Sequence, residues 1–168
     1  TLLNGKCGIT GKQVSIESGD PRTFETFNDF VEAYKKQMKY CMSRLVKWDN
    51  IIDKMHAEHH PVPFTSILID DCIERGMDAT WGGCHYNWTG PLGVGIANAG
   101  DSIYAVKKVV YQDKMYTMDK LISALEKNFE GEEYMRKYLV NRVDKYGNDV
   151  GAADECVKLA TDVYFDSM

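Results

Sequence analysis

The sequence predicts a helix-rich α/β chain in which one or two strands stand among several helices. Apolar residues recur at three- and four-residue steps from Phe27 to Met55, which is the spacing of one face of a long helix. The stretch from Gly82 to Gly100 is rich in glycine and breaks this pattern, as a strand with tight turns would. With 168 residues, 44% of them hydrophobic and 27% charged, the chain can bury a core of ordinary size.

Residues 1–22 are predicted to be a loop, because they carry turn-forming glycines and show little apolar periodicity. A long helix is predicted over residues 23–60. Thr23 or Thr26 can cap its N-terminus, and Asp29 follows the second of these by three residues. A carboxylate at that spacing can accept a hydrogen bond from the backbone amide of the cap residue, which completes a capping box.

Two prolines, Pro61 and Pro63, are expected to end the long helix, because proline cannot donate the hydrogen bond that a helix interior requires. A shorter helix is predicted from Phe64 to Arg75, and Gly76 follows it where a C-cap glycine belongs. Residues 61–168 as a whole are therefore predicted to contain a strand and several helices.

Four further helices are predicted after the glycine-rich stretch, from their apolar periodicity and the polar residues near their starts. A single strand cannot form a sheet by itself, so the predicted strand requires partners. The four helices are expected from Asp101 or Ser102 to Tyr111, from Thr117 to Phe129, from Glu132 to Val143 and from Ala152 to Phe165.

Charge and hydropathy exclude two classes of partner. The 20 Lys and Arg residues against 25 Asp and Glu residues give a net charge of −5, and the basic residues are scattered. Nucleic-acid binding is not expected, because phosphates require a clustered positive surface. The apolar runs Ser66–Ile69 and Val94–Ala97 are far shorter than the ~18–20 residues that cross a bilayer, so no membrane partner is expected. Small molecules or proteins remain as partners.

The five cysteines are spread over the chain without a Cys-X-X-Cys motif, which fits neither a disulfide framework nor a zinc ribbon. No charged leader with an apolar stretch follows Thr1, so nothing marks a signal peptide. We therefore expect a cytoplasmic protein in a reducing compartment. Because the sequence does not begin with Met, we also expect it to be part of a longer chain.

The stretch Gly93–Asn98 precedes a predicted helix, which invites comparison with a dinucleotide-binding loop. Asn98 replaces the third glycine of that motif, and Pro91 interrupts the approach. Close backbone packing at the glycines is the interpretation that the pattern favours. The loop nevertheless motivates an alternative function, a stand-alone helical module that binds a nucleotide or a protein.

His56 and His60 lie four residues apart, so a helix would present both imidazoles on one face, as in some zinc sites. His85 is the only other candidate ligand of this type outside the run, and the general-base glutamate is misplaced for a metalloprotease. Solvated histidines near a helix C-terminus are the favoured interpretation, and no metal site is predicted.

The run Asp70–Arg75 is the densest cluster of reactive side chains. Cys72 and Glu74 are two residues apart and would point roughly 200° apart on a helix, so a direct thiol–carboxylate couple is not expected. A helix would place Asp71 one turn from Arg75, as an ordinary ion pair, and Asp70 one turn from Glu74. Cys72 is expected to be a small buried hydrophobic residue.

Six sequence blocks, in a fixed order over nearly the whole chain, resemble the pyruvate formate-lyase-like part of glycyl radical enzymes. The blocks are His60–Gly76, Gly82–Asn87, Thr89–Gly95, Asp101–Lys108, Asn128–Gly131 and Lys145–Asp149.

This resemblance implies a large parent protein, built as a ten-stranded α/β barrel and expected to be a homodimer. In such enzymes a separate radical S-adenosylmethionine activating enzyme installs a glycyl radical on the protein itself. That radical oxidises a cysteine to a thiyl radical, which takes a hydrogen atom from a small organic substrate. The parent is thus expected to be an anaerobic, cytoplasmic lyase, decarboxylase or dehydratase, with no other cofactor bound directly.

The two loops that carry this chemistry in the family are not found in the chain. The thiyl loop reads Gly-Cys-X-Glu, whereas Asp71–Glu74 matches a separate helical block of the family. The radical loop reads Arg-Val-X-Gly, and Arg142–Gly147 belongs to a different block. The resemblance therefore implies an interior segment, inactive alone, that contributes scaffold and part of the substrate-pocket wall while the catalytic residues lie elsewhere.

Four residues are candidates for that wall. The family strand that matches Thr89–Gly95 runs near the substrate, which implies Trp88, Thr89 and Leu92 as pocket residues, with Glu74 as a further polar contact. A large aromatic residue such as Trp88 is equally consistent with a core position. The substrate itself is left open between a molecule with a flat apolar part and a small polyol or amino-acid derivative.

Overall fold

The computed structural model describes all 168 residues and contains α-helices but no β-strand. The residues form two compact units. Unit 1 comprises Thr1–Met42 and Gly93–Met168, and unit 2 comprises Ser43–Leu92. The prediction of a helix-rich chain is confirmed. The α-helices are α1 (Phe27–His59), α2 (Pro63–Ser66), α3 (Cys72–Arg75), α4 (Ile96–Val106), α5 (Met118–Glu126), α6 (Glu133–Asn141) and α7 (Gly151–Asp166).

The N-terminus of α1 is closed by the predicted capping box. Asp29 Oδ2 accepts a hydrogen bond from the Thr26 amide at 2.8 Å, and Thr26 Oγ1 accepts one from the Asp29 amide at 3.2 Å. The bond from the Thr26 amide, with a second from the Thr26 hydroxyl at 2.8 Å, holds the pKa of the Asp29 carboxyl below its usual value. Of the two predicted cap residues Thr26 is the correct one, because Thr23 ends a separate short 3₁₀ helix, Pro21–Thr23.

Residues 1–20 form the predicted loop, which ends at the 3₁₀ helix and is fastened to α1 by a buried amide. Gln37 Nε2 donates to the Ile16 carbonyl at 2.6 Å and to Ser18 Oγ at 3.0 Å. An isolated antiparallel bridge joins Lys6 to Gln13 within the loop. These bonds satisfy the Gln37 amide where the irregular segment packs against the helix, whereas the buried hydroxyl of Ser15 in the same loop has no hydrogen-bond partner.

The core of unit 1 is apolar and lies among α1, α4, α5, α6 and α7. Helices α4 and α7 approach most closely at Gly100, where an added Cβ atom would lie 2.3 Å from Val157 Cγ2 and 2.6 Å from Val157 Cα. Glycine is therefore required at this crossing. The buried core residues are Phe30, Ile103, Tyr104, Val106, Val109, Met118, Leu121, Ile122, Ala124, Met135, Val143, Ala153, Cys156 and Ala160.

The strand predicted between Gly82 and Gly100 is wrong. Residues 86–93 form neither helix nor turn, and α4 already begins at Ile96. The predicted helix start at Asp101 or Ser102 is wrong for the same reason: Gly95, with φ +81°, occupies the cap position instead. A strand is stabilised by hydrogen bonds to a neighbouring strand, and these residues have none to pair with here.

The single helix predicted from Phe64 to Arg75 is also wrong, because it is divided into α2 and α3. Asp71 has a left-handed backbone with φ +74°, which a continuous right-handed helix cannot contain. Gly76 closes α3 in the left-handed conformation, with φ +61°, as predicted. Ser66, the last residue of α2, donates a hydrogen bond from Oγ to Asp78 Oδ2 at 2.8 Å. The end of α2 is thus bound to a carboxylate twelve residues later in the chain.

The later helices lie near their predicted positions, and α5 confirms its cap. Thr117 Oγ1 accepts a hydrogen bond from the Lys120 amide at 3.2 Å. A six-residue π-helix, Lys107–Gln112, extends α4. Asp101, no longer a cap, accepts a hydrogen bond from the Tyr146 amide at 2.8 Å.

We expect Gly100→Ala to destabilise unit 1, because the new methyl group would overlap the backbone of Val157 in α7. Overpacking of this kind costs about 1–3 kcal/mol. The midpoint of urea unfolding, followed by circular dichroism, should fall accordingly. Gly151→Ala is the matched control, because no atom lies within 4 Å of the added methyl group. Equal midpoints for the two variants would contradict the proposed close crossing.

Candidate functional site

Unit 2 is organised around the carboxylate of Asp78. Its Oδ2 accepts hydrogen bonds from the Val62 amide at 2.9 Å and from Ser66 Oγ at 2.8 Å. Its Oδ1 accepts from the Thr80 amide at 2.9 Å and from Thr80 Oγ1 at 2.7 Å. These bonds, that from the Thr80 hydroxyl foremost, lower the pKa of Asp78 to about 2. The carboxylate therefore ties α2 to the turn that follows α3.

A tight turn leads from Asp78 to the segment that carries the predicted pocket residues. An added Cβ atom at Gly83 would lie 2.1 Å from the Met77 carbonyl oxygen, so only glycine fits. Arg75 Nη1 donates to the Gly83 carbonyl at 3.2 Å and to the Cys84 carbonyl at 3.3 Å. The expected Asp71–Arg75 ion pair is wrong, because α3 begins only after Asp71 and the guanidinium binds these carbonyls instead.

The segment of residues 84–92, here called the aromatic segment, carries a row of ring side chains. The ring centroids of His85 and Tyr86 lie 4.7 Å apart, and those of Tyr86 and Trp88 lie 6.0 Å apart, both edge to face. His85 Nδ1 lies 3.7 Å from Asp71 Oδ2, within ion-pair distance. The row is thereby held at its start by a charged partner next to α3.

The middle of the aromatic segment is held by a helix. Thr89 Oγ1 donates a short hydrogen bond to Asp53 Oδ2, on the second half of α1. Asp53 was not predicted as a site residue. No motif includes Asp53, and its 36-residue separation from Thr89 leaves no local signal that could have identified it.

The four predicted pocket residues are all exposed in this structure. Trp88 is 84% exposed and Leu92 is 85% exposed, so Trp88 is not part of a core formed by this chain. Thr89 and Glu74 are exposed as well. Trp88, Thr89 and Leu92 share the aromatic segment, whereas Glu74 lies on α3. Their role in a substrate pocket stays a prediction.

Cys72 is confirmed as a buried hydrophobic residue, only 3% exposed. Burial raises the pKa of its thiol, with the neighbouring Cys84 adding to the shift. A thiol of this kind stays protonated at neutral pH and is a poor nucleophile. Cys72 begins the short helix α3, and the expectation that Asp71–Glu74 is not a thiyl loop stays a prediction.

The histidines and the glycine loop also have identifiable surroundings. The rings of His56 and His60 lie 6.4 Å apart near the end of α1, and no group of three or more His, Cys, Asp or Glu side chains is placed to hold a metal ion. An added Cβ atom at Gly93 would lie 2.5 Å from Ile96 Cδ1. Close packing therefore explains this glycine, and no strand precedes the loop as a dinucleotide motif requires.

Unit 2 leaves much of its apolar surface uncovered. The second half of α1 exposes the apolar stripe predicted from the sequence, whereas Phe30, Val31 and Met42 of its first half, in unit 1, are buried. Exposed apolar patches of this kind mark contact with other protein surfaces. The large apolar side chains exposed in unit 2 are Val46, Trp48, Ile51, Ile52, Met55, Val62, Phe64, Ile67, Leu68, Ile73, Met77, Trp81, Tyr86, Trp88 and Leu92.

Comparison with known proteins identifies the family. Residues 1–168 match the family model described as pyruvate formate lyase-like. The chain belongs to the pyruvate formate lyase-like family. This confirms the resemblance seen in the six sequence blocks, and the homologues of this family member are glycyl radical enzymes.

Two curated relatives illustrate the similarity. Trans-4-hydroxy-L-proline dehydratase from Clostridioides difficile is 40% identical over 168 residues, which is 100% of this chain and 21% of that protein. (2S)-3-sulfopropanediol dehydratase from Klebsiella oxytoca is 33% identical over 166 residues, which is 97% of this chain and 20% of that protein. The chain thus spans about a fifth of the length of these relatives.

Solved structures of the family agree with the fold. Hydroxyproline dehydratase from Clostridioides difficile, with trans-4-hydroxy-L-proline bound, matches 99% of this chain and 21% of its own with a TM-score of 0.93 and 40% identity. The B12-independent glycerol dehydratase from Clostridium butyricum matches the same shares with a TM-score of 0.90 and 35% identity.

Among the helices of the present chain, none is long and apolar enough to span a membrane.

We expect Asp78→Asn to destabilise unit 2 at neutral pH, because the amide nitrogen cannot accept the bonds that one carboxylate oxygen accepts. The folded-state pKa of about 2 lies below the usual value of 3.8, so the stabilisation is present above pH 3.8 and is lost as the pH falls through 2. Urea unfolding between pH 7 and pH 2 should show the difference from the wild type shrinking in that window.

The matched control for this prediction is Asp70→Asn, an exposed aspartate in the same unit. Its unfolding midpoint should follow that of the wild type throughout the pH range. A constant difference between Asp78→Asn and the wild type down to pH 2 would contradict the role assigned to the Asp78 carboxylate.

Proposed function

We propose that the protein carrying this chain is a glycyl radical dehydratase that removes water from a small hydroxylated substrate. The observation that carries the proposal is the 40% identity to trans-4-hydroxy-L-proline dehydratase over the whole chain. Relatives with other reactions are less similar: isethionate sulfite-lyase from Desulfovibrio desulfuricans is 35% identical over 91% of the chain. Indoleacetate decarboxylase from Tractidigestivibacter scatoligenes is 27% identical over 71%.

The chemistry follows the family pattern. A glycyl radical in another part of the protein takes the hydrogen atom of a cysteine thiol, and the thiyl radical so formed takes a hydrogen atom from a substrate C–H bond. The substrate radical loses its neighbouring hydroxyl group with a proton, as water, and finally recovers a hydrogen atom from the thiol. None of these radical-bearing residues is assigned to the present chain, which we therefore expect to be inactive alone.

The contribution of this chain is scaffold and pocket wall in a ten-stranded α/β barrel. The uncovered apolar surface of unit 2 supports this context, because it needs further protein to shield it from water. Residues 86–93 are free of helix and turn, and so can pair with neighbouring strands.

Within the barrel, Trp88 and Leu92 would line the substrate pocket, with Glu74 as a further polar contact. The partners are the rest of the barrel, a second protomer and a radical S-adenosylmethionine activating enzyme, in an anaerobic cytoplasm. A pocket wall with one flat aromatic face beside polar groups suits a small hydroxylated molecule with an apolar edge, such as a cyclic amino-acid derivative.

The test uses the full-length protein, activated without oxygen by its activating enzyme, S-adenosylmethionine and a reductant. We expect an organic radical signal by electron paramagnetic resonance and the loss of water from one substrate among trans-4-hydroxy-L-proline, glycerol and 1,2-propanediol. Release of sulfite from isethionate would contradict the proposed dehydratase activity and show a sulfite-lyase activity. Nucleotide binding by a monomeric chain that unfolds cooperatively, without any radical, would favour the alternative binding module.

We expect Trp88→Ala in the activated protein to raise KM by about tenfold, because an aromatic contact of ~1 kcal/mol or more with the substrate is lost. The radical yield should be unchanged, since Trp88 is not part of the radical loops. Trp88→Phe keeps a flat ring and should recover most of the affinity. An unchanged KM in Trp88→Ala would remove Trp88 from the pocket.

A further inference from the structure

We propose that Asp53 is a positioning residue, and that its hydrogen bond with Thr89 determines which face of the aromatic segment is presented to the substrate. The part of this inference that concerns the substrate rests on the proposed function. The family resemblance implies Thr89 as a pocket residue, and in the structure its hydroxyl is a tether to α1.

The argument begins with the proton of the Thr89 hydroxyl. A hydroxyl group has one proton to donate, and Thr89 Oγ1 donates it to Asp53 Oδ2. A hydrogen bond to an ionised carboxylate is stronger than one between neutral groups. Thr89 therefore cannot serve as a hydrogen-bond donor to a substrate while this bond exists.

The second step is the alternation of side chains along an extended backbone. Successive residues of such a segment point to opposite sides, and residues two apart point to the same side. His85 lies in the bend before residue 86, so its ring contact with Tyr86 falls outside this rule. From residue 86 onward the rule holds for Tyr86 and Trp88, whose rings pack edge to face at 6.0 Å. Thr89 points to α1, so its neighbour Trp88 points away, in agreement with its 84% exposure.

The third step is the rigidity of the anchor. Asp53 lies well inside α1, a helix of 33 residues, and so is fixed by backbone hydrogen bonds on either side. The start of the segment is held by Arg75, through the carbonyls of Gly83 and Cys84, and by the Asp71–His85 pair. A slip of one residue along the segment would turn Trp88 from one face to the other. The contacts at the start of the row and the bond at Thr89 oppose such a slip.

The experiment compares variants of the full-length, activated protein. Asp53→Ala and Thr89→Val each remove the bond, and we expect each to raise KM by about five- to tenfold while kcat and the radical yield stay within about twofold. Thr89→Ser keeps the hydroxyl and should restore the wild-type KM. The double variant should be no worse than either single variant, because both remove the same interaction.

Asp49→Ala is the matched control, because Asp49 lies one turn before Asp53 on the same helix. Its KM should equal that of the wild type. An increase of KM in Thr89→Val without one in Asp53→Ala would overturn the inference, since the hydroxyl would then contact the substrate directly. Additive effects in the double variant would overturn it as well.

Hydrogen–deuterium exchange separates this inference from the proposed function, because it does not require turnover. In Asp53→Ala and Thr89→Val the amides of residues 86–92 should exchange faster than in the wild type, while those of α5 should not change. Unchanged exchange in both variants would refute the tether even in an active dehydratase. Faster exchange in a protein without radical or dehydratase activity would refute the proposed function and leave the tether established.

Discussion

The hydrogen bonds to the carboxylate of Asp78 are the interaction on which the arrangement of the short helices in unit 2 depends. Few side chains of this unit are buried, so the hydrophobic effect contributes little to holding its short helices together. The stabilisation comes instead from four hydrogen bonds that Asp78 accepts from Val62, Ser66 and Thr80. The turn at Gly83 and the aromatic segment come shortly after Asp78 in the chain, so the bonds to Asp78 fix the place where both begin.

Unit 1 is stabilised in a different way. Its helices bury a continuous apolar core, and the approach of α4 to α7 at Gly100 brings their backbones into contact. Close packing of this kind makes the unit sensitive to added volume. Different changes are therefore expected to lower the stability of the two units: an added methyl group at the helix crossing in unit 1, and protonation of the Asp78 carboxylate in unit 2.

The uncovered apolar surface of unit 2 connects the structure to the function. A stripe on α1 and a row of rings on the aromatic segment both lack cover within the chain. The chain spans about a fifth of the length of the curated relatives, and an uncovered apolar surface of this kind marks contact with further protein. Trp88 lies in this uncovered row of rings, and the bond between Asp53 and Thr89 tethers the segment that carries it.

Local chemistry in the sequence determined the capping box at Thr26, the glycine cap at Gly76, the burial of Cys72 and the family. Caps and glycine turns depend on residues a few positions apart, so they can be predicted from the sequence. The division of the helix before Arg75 and the Asp53–Thr89 tether depend on groups far apart in the chain. Only the tertiary structure decided these, because long-range hydrogen bonds override local propensity and leave no periodic signal.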